Sequence, residues 1–178
     1  MADASTFALL SERGYKPLEF SNVLYRPITT DLRLEAERNE QIRVWRIRDD
    51  EVDLWAQTAF EGWSEFTEVA DFLRDLGHIT ARSKPLTFLA ELDGKRIAAG
   101  ALSINNDIAL LAGASTIPSA RRQGAQNALL EERLRQAAAQ GCTIAMMVTQ
   151  PGSGSQRNAE RHGFRIAYTR TKWQLGHD

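Results

Sequence analysis

Two adjacent arginines and a glycine stand where a predicted strand gives way to a predicted helix. Arg121, Arg122 and Gly124 follow Pro118, and the helical pattern continues from Ala125. The first N–H groups of a helix lack intrahelical acceptors and carry the positive end of its dipole, so they can bind a diphosphate. Glycine lets the backbone approach such a ligand closely, and the guanidinium groups add charge. The segment predicts an anion site, and an ordinary helix start with two solvated arginines remains the alternative.

The remaining chemically reactive side chains do not form a second site in the sequence. Cys142 is the single cysteine, so an internal disulfide is excluded, and it reads as a small buried residue. His78, His162 and His177 lack the spacing of metal ligands. We interpret His78 and His162 as residues at helix ends, near the negative end of the dipole. No metal site is expected.

Composition narrows the class of protein. The chain has 178 residues, of which 43% are hydrophobic, enough for one well-buried core. Its 22 basic and 23 acidic residues nearly cancel, so we expect no general attraction to nucleic acid or to an anionic membrane. No apolar run is long enough to span a bilayer, and no secretory signal is recognisable. These features predict a cytoplasmic protein.

The first half of the chain reads as a strand followed by two helices. Residues 42–48 have strand character, and Asp49 and Asp50 are candidate N-caps for the helix that follows. A second helix is predicted to begin near Thr67 and to end at Gly77. The apolar stripe of the first helix is predicted to comprise Val52, Trp55, Ala56, Ala59, Phe60 and Trp63.

The second half reads as a meander, a long helix and two further strands. Asp93-Gly94 predicts a tight hairpin between strands 87–92 and 96–104, with a third strand over 108–117. Gly141 is expected at the C′ position of the long helix. The apolar run 143–149 predicts a strand covered on both faces, before a short helix over 155–162 and a strand over 164–175. The buried face of the long helix is predicted to comprise Ala125, Leu129, Leu134, Ala137 and Ala138.

The segment Pro118-Ser119-Ala120-Arg121-Arg122-Gln123-Gly124-Ala125-Gln126-Asn127 resembles the R/Q-x-x-G-x-G/A diphosphate loop of the GNAT (Gcn5-related) N-acetyltransferases. The order of elements from residue 42 is also similar to that family, and Asn158-Ala159-Glu160-Arg161-His162-Gly163-Phe164 resembles its N…A…GF ending. The resemblance covers residues 42–175. It implies an α/β acyl-CoA N-acyltransferase fold, with a mixed, mostly antiparallel sheet flanked by helices.

The same resemblance implies an activity and a set of binding residues. Acetyl-CoA would be the cosubstrate, and an amine of a small-molecule or peptide acceptor would attack it directly in a ternary complex. The pantetheine arm would pair with the backbone of residues 114–117, where an N–H could polarise the thioester. The implied cofactor-binding residues are Ser115, Thr116, Ile117, Arg121, Arg122, Gln123, Gly124, Ala125, Gln126, Asn127 and Asn158.

This chain departs from the family pattern at two positions. Gln126 stands where the loop usually has a small residue, and Ala159 stands where many members have the tyrosine that protonates the leaving thiolate. No convincing general base is found, since Asp107 lies at the far end of its strand and the facing of Glu91 is undetermined. The second hypothesis is therefore a non-catalytic acyl-CoA binding or sensing module. A dinucleotide-binding enzyme is disfavoured because no G-x-G-x-x-G joins a first strand to a first helix.

Three assignments remain open. Trp63 and Phe66 either line an acceptor pocket or close the core between two helices, and the second is favoured. Asn158 either contacts the cofactor or is a tolerated surface residue. Ser155 either contacts the cofactor or caps the short helix, and the cap is favoured.

The N-terminal segment echoes the end of the chain. Gly14-Tyr15 lies between a short helix and a long strand, as Gly163-Phe164 does. We therefore divide the chain into a helix-strand unit at 1–28 resembling the tail of a second GNAT-like unit, a connector at 29–41, and a GNAT domain at 42–178. Residues 18–26 are predicted to add to the sheet near the strand that begins at Phe164, because an edge is otherwise left open there. A separate flap, or a segment that mediates a homodimer, is the alternative.

Overall fold

The computed structural model describes residues 4–29, 39–65 and 85–176. Short 3₁₀ turns occupy Asp49–Glu51 and Pro118–Ala120. The helix predicted from Thr67 to Gly77 lies outside the described residues. In chain order the elements are α1 (Ala4–Glu12), β1 (Tyr15–Pro27), β2 (Arg43–Arg46), α2 (Val52–Gly62), β3 (Leu86–Leu92), β4 (Lys95–Asn105), β5 (Ile108–Thr116), α3 (Ala125–Ala139), β6 (Ile144–Thr149), α4 (Gly154–Arg161) and β7 (Arg165–Leu175).

Helices alternate with strands that pair mostly antiparallel, which confirms the predicted mixed α/β fold. The chain divides into two compact units. One comprises Met1–Tyr25 and Val148–Asp178, and the other comprises Arg26–Met147. The domain boundaries inferred from the sequence stay a prediction.

The larger unit is built on strands in the order β2-β3-β4-β5-β6. The first four pair antiparallel, and β5 and β6 run parallel. The predicted hairpin between β3 and β4 is confirmed: Asp93 and Gly94 both have positive φ angles, 52° and 73°, as a type I′ turn requires.

Two apolar clusters lie on alternate residues of β4, as expected of a strand with both faces covered. Ala98 and Leu102 pack in the cluster that contains Leu129 of α3. Ala99 and Ala101 pack in the cluster that contains Trp55 of α2. Helices α2 and α3 therefore pack on opposite faces of this sheet.

The start of α2 differs from the prediction. Asp49 and Asp50 do not cap it, because they belong to a 3₁₀ turn that precedes Val52. The carboxylate of Glu51 instead accepts a hydrogen bond of 2.9 Å from the backbone N–H of Arg48.

The buried face of α2 is narrower than the predicted stripe. Trp55 and Ala59 are buried together with Thr58 and Gly62. Val52 and Phe60 are 50% and 44% exposed, so their inclusion in the stripe was wrong. Val52 and Phe60 both lie on the same side of the buried face, so the predicted stripe was rotated away from it by about one position.

Helix α3 ends as predicted. Gly141 has φ 79° and donates to the carbonyl of Ala138, while Cys142 donates to Ala137, both over 3.0 Å. These two bonds define a Schellman motif. The predicted face is buried at every position except Ala138, which is half-buried.

The apolar run of β6 was misjudged. Ile144 and Val148 are 38% and 37% exposed, whereas Ala145 is fully buried. An uninterrupted apolar sequence therefore does not mark a strand covered on both faces here.

The smaller unit contains α1, β1, α4 and β7. Strand β1 pairs antiparallel with β7 from Tyr15 opposite Leu175 to Tyr25 opposite Arg165, which confirms the predicted partner strand. Glu19 and Lys172 form an ion pair of 2.9 Å across this ribbon. The resemblance of residues 1–28 to the tail of a second unit stays a prediction.

The cap of α4 also differs from the favoured assignment. Ser153 accepts a hydrogen bond from the backbone N–H of Gln156 over 3.1 Å and is the N-cap. Ser155 lies inside the helix. Among the described residues, no helix is long and apolar enough to cross a membrane.

Candidate functional site

The segment between β5 and α3 turns sharply through two residues with positive φ. Arg122 has φ 63° and Gly124 has φ 97°, and Gly124 is the N-cap of α3. Gly124 has no side chain with which to cap this helix end. A Cβ on Gly124 would lie 3.3 Å from Cβ of Asn39, so both the conformation and the available space favour glycine. The glycine in the motif is thus required by the backbone, as well as suited to a close ligand.

The loop is tied to the residues that precede β2. Asn39 donates from Nδ2 to the carbonyl of Gln123 over 3.0 Å, and its own Oδ1 accepts from the N–H of Gln41 over 3.1 Å. Sequence analysis assigned residue 39 only to a connector. The motif gave no signal for this contact because the two positions are 84 residues apart.

The two arginines of the loop differ in their surroundings. Nη1 of Arg121 lies 2.5 Å from Oε2 of Glu65, and both side chains are substantially exposed, 41% and 55%. Arg122 is exposed. A phosphate at the predicted loop would therefore compete with Glu65 for Arg121.

The first turn of α3 is joined to the last residue of β5. Gln126 donates from Nε2 to Oγ1 of Thr116 over 2.7 Å. The larger side chain that replaces the usual small residue therefore crosses the junction between strand and helix. Ala125 is buried at 3% exposure and serves the core, so its contribution to a ligand would come from its backbone.

Ser115 and Ile117 each donate a hydrogen bond to a neighbouring element. Oγ of Ser115 donates to the carbonyl of Ala59 over 3.1 Å, and N–H of Ile117 donates to Ile97 of β4 over 2.9 Å. Backbone groups alternate in direction along an antiparallel strand, so Ser115 also faces β4. A cofactor role for Ser115 and Ile117 stays a prediction.

The free edge of β5 is contributed by the alternate residues. Thr116 and Ala114 direct their backbone groups away from β4 by the same alternation. The parallel pairing with β6 covers only Ile108–Leu110 of β5, opposite Ile144–Met146. Beyond Leu110 the described structure shows no strand paired to this edge, which leaves backbone groups that an extended ligand can bind.

The candidate bases are poorly placed. Oδ2 of Asp107 accepts from Oγ1 of Thr143 over 2.7 Å, at the opposite end of β5 from the loop. Glu91 of β3 lies opposite Arg43 and Arg96 in the neighbouring strands. Asp107 therefore lies far from the loop, whereas Glu91 lies toward the loop end of the sheet but is separated from β5 by β4.

The residues assigned to other roles agree with those roles. Cys142 is 4% exposed, and burial together with the charge of Asp107 raises its pKa, so it is a weak nucleophile. His162 is the C-cap of α4, as expected. Trp63 is the half-buried C-cap of α2, whereas Phe66 and His78 lie outside the described residues.

Asn158 and Ala159 belong to α4 in the smaller unit. Oδ1 of Asn158 accepts from Nη2 of Arg161 over 3.3 Å. A cofactor role for Asn158 stays a prediction. Ala159 is 1% exposed. No group of three or more His, Cys, Asp or Glu side chains suited to a metal ion occurs in the described part of the chain.

A sequence profile of the acetyltransferase (GNAT) family matches residues 44–164, which include the loop and the free edge of β5. The chain belongs to the GNAT family. This confirms the resemblance drawn from the sequence. A search of curated proteins gives no match.

Solved structures with the same fold include several GNAT proteins. A GCN5-related N-acetyltransferase from Kribbella flavida aligns with 97% of this chain and 64% of its own, at 20% identity and a TM-score of 0.70. One from Sphaerobacter thermophilus aligns with 95% and 55%, at 17% identity and a TM-score of 0.67. This GNAT chain thus spans about two thirds or less of these relatives.

A GNAT family acetyltransferase from Brucella melitensis was solved in complex with acetyl-CoA. It aligns with 65% of this chain and 80% of its own, at 16% identity and a TM-score of 0.54. A GNAT protein of this fold therefore binds acetyl-CoA.

Proposed function

We propose that this protein transfers an acetyl group from acetyl-CoA to an amine of an acceptor molecule, by direct attack in a ternary complex. The observation that carries the proposal is the combination of a helix N-terminus whose N-cap is a glycine, Gly124, with a strand edge at Ala114 and Thr116 that no described strand covers. One feature suits a diphosphate and the other suits an extended amide chain. Their succession along the backbone matches the chemistry of CoA.

The loop fits the diphosphate. The N–H groups at the start of α3 have no acceptor within the helix, and the dipole favours negative charge there. Arg122 is exposed beside them, and Arg121 lies within reach of a competing carboxylate. The net effect of binding would be to exchange Glu65 for a phosphate at Arg121, at a cost that depends on salt concentration.

The free edge fits the pantetheine arm. The two amides of the pantetheine arm can pair with the edge as an added strand would. Ala114 and Thr116 supply the backbone partners. A backbone N–H of this edge would donate to the thioester carbonyl and stabilise the negative charge that develops on its oxygen. The reaction then forms an N–C bond and breaks the C–S bond. The attacking amine loses one proton, and the departing thiolate gains one.

Neither proton transfer has an assigned side chain. Asp107 is hydrogen-bonded at the far end of β5, Glu91 is separated from β5 by β4, and Ala159 replaces the usual tyrosine. We infer that water carries both protons, and that the protein contributes positioning and charge stabilisation. Ala159 also supports the second candidate function, a non-catalytic acyl-CoA binding module.

One experiment tests the proposal and separates the two candidates. Acetyl-CoA affinity is measured by calorimetry, and release of free CoA thiol is then followed with a panel of small amines and N-terminal peptides. Binding with amine-dependent thiol release supports transfer. Binding without release for any amine favours the binding module, and absence of binding refutes both.

A further inference from the structure

A buried guanidinium lies against the sheet beside the free edge. Arg133 of α3 is 3% exposed. Its Nη1 lies 3.3 Å from the carbonyl oxygen of Ala101 in β4 and 3.5 Å from that of Ala112 in β5, while Nε donates to Leu129 in its own helix. Within the described ranges no carboxylate forms an ion pair with it.

Stability alone does not account for this arginine. A buried charge that contacts only neutral carbonyls costs more than an apolar residue of the same size. Burial lowers the pKa of Arg133 to about 10, so the side chain still carries its charge at neutral pH. The other buried residues of α3 are all alanine or leucine.

The carbonyls that Arg133 contacts belong to the pair next to a β-bulge. Pairing passes from Ala99 opposite Ser115 to Ala101 opposite Ala112, so β5 contains one extra residue. Gly113 has φ 58°, the left-handed conformation typical of a bulge glycine.

Strand β4, which lies opposite the bulge, is contacted at Gly100 from both faces of the sheet. A Cβ on Gly100 would lie 3.4 Å from Cζ of Arg133, so the glycine leaves room for the guanidinium plane. From the side of α2, Nε1 of Trp55 donates to the carbonyl of Gly100 over 3.2 Å. The bulge is therefore held between an arginine and a tryptophan.

The bulge decides which residues face the free edge. A shift of one residue reverses the facing of every later residue in a strand. With the bulge, the backbone N–H and C=O of Ser115 point toward β4, while those of Ala114 and Thr116 point toward the free edge. Without it, Ser115 would face outward, and its hydrogen bond to Ala59 would be lost.

We propose that Arg133 is a positioning residue that holds the bulge at Gly113 and thereby directs the backbone of Ala114 and Thr116 toward the pantetheine arm of acyl-CoA. This inference rests on the proposed function. It assigns to α3 a second task in binding, separate from the diphosphate site at its N-terminus.

Two ligands distinguish positioning from general stability. Acetyl-CoA requires the loop and the free edge, whereas adenosine 3′-phosphate 5′-diphosphate requires only the loop. In Arg133→Met, acetyl-CoA affinity should fall by about tenfold or more, while the affinity for the fragment should change by less than about twofold. Arg133→Lys keeps the charge and should recover part of the loss. Leu129→Met, a core substitution one turn away, is the matched control and should leave both affinities unchanged.

Amide hydrogen exchange of the ligand-free protein gives a second measurement. The amides of Ser115 and Ile117, which face β4, should exchange faster in Arg133→Met than in the wild type, and the same two should respond to Trp55→Phe. Equal losses of affinity for both ligands, or unchanged exchange at the bulge, would overturn the proposal. If the wild type binds neither ligand, the proposed function fails, and the exchange data still decide whether Arg133 holds the bulge.

Discussion

Gln126 donates a hydrogen bond of 2.7 Å from Nε2 to Oγ1 of Thr116, linking the first turn of α3 to the end of β5. Gln126→Glu replaces this amide with a carboxylate of nearly the same shape. A negative charge in the first turn stabilises a helix by about 0.3 to 1 kcal/mol but repels a diphosphate at the same place. We therefore expect unfolding free energy to be preserved while acetyl-CoA affinity falls by about tenfold or more.

The control for this prediction is Gln140→Glu, which adds the same charge at the other end of α3. Chemical denaturation and calorimetry are applied to both variants. Undiminished affinity in Gln126→Glu at low salt would place the diphosphate elsewhere.

The ion pair between Arg121 and Glu65 predicts a gain of affinity. Glu65→Gln removes the carboxylate that competes for the guanidinium, so acetyl-CoA should bind more tightly, by about threefold to tenfold. The increase should shrink at high salt because surface charges are screened. Glu61→Gln serves as control. Glu61 lies in the last turn of α2, close to Glu65 in the chain, but its carboxylate accepts a hydrogen bond from Gln57. Equal gains in the two variants would exclude a specific competition at Arg121.

Arg121→Ala gives the complementary measurement. Loss of a direct guanidinium contact to phosphate should weaken acetyl-CoA binding by about 1 to 3 kcal/mol, with a clear dependence on salt. If the loss of acetyl-CoA affinity caused by Arg121→Ala were the same at low and high salt, a direct contact between Arg121 and phosphate would be excluded.

Alanine substitutions at Gly124 and Gly141 separate the cost of a strained backbone from the effect of crowding at the loop. Both have positive φ, but a Cβ on Gly124 would lie 3.3 Å from Asn39, whereas a Cβ on Gly141 meets nothing within 4 Å. Alanine in the left-handed region costs about 1 to 2 kcal/mol at either position. Gly124→Ala should therefore destabilise the protein at least as much as Gly141→Ala, and it alone should weaken acetyl-CoA binding. Urea unfolding and calorimetry measure the two effects, and loss of affinity in both variants would assign it to stability.

The sequence predicted the turns and helix ends that depend on residues close together in the chain. The Asp93-Gly94 hairpin and the Gly141 helix end follow from local backbone chemistry and are confirmed. The diphosphate role of Gly124 stays a prediction. Contacts between distant positions left no such trace. The bonds from Asn39 to Gln123 and from Arg133 to the bulge join residues far apart in the chain. A polar residue in a helical pattern reads as solvent-facing, which is why Arg133 was not recognised as buried.

Ala159 cannot serve as a place to restore the missing acid. It is 1% exposed, and its carbonyl accepts from the N–H groups of His162 and Phe164 at the end of α4. A tyrosine there would overpack the helix and cost about 1 to 3 kcal/mol. We expect Ala159→Tyr to lower the unfolding midpoint without raising thiol release. Higher release in a variant of unchanged stability would show that the side chain has room to reach the thioester.

The ribbon of β1 and β7 predicts different outcomes for two truncations. Helix α1 has no buried residue, and its Phe7 contacts Trp173 of β7 by stacking at 5.9 Å. Removing residues 1–13 should therefore cost little stability. Removing residues 1–28 also deletes β1, whose residues Ser21–Leu24 are buried, and leaves β7 without its antiparallel partner.

An unpaired strand edge promotes association between chains, so the longer truncation should be aggregated or destabilised relative to the shorter one. Within the ribbon, Asn22 is 6% exposed and accepts from Oγ1 of Thr169 over 2.6 Å while donating to Oε1 of Gln156 over 3.1 Å. Asn22→Ala should accordingly cost about 1 kcal/mol, since two part-buried hydrogen bonds are lost. Light scattering and thermal unfolding of the three variants provide the measurement. Equal stability and dispersity of the two truncations would show that β1 is an independent appendage.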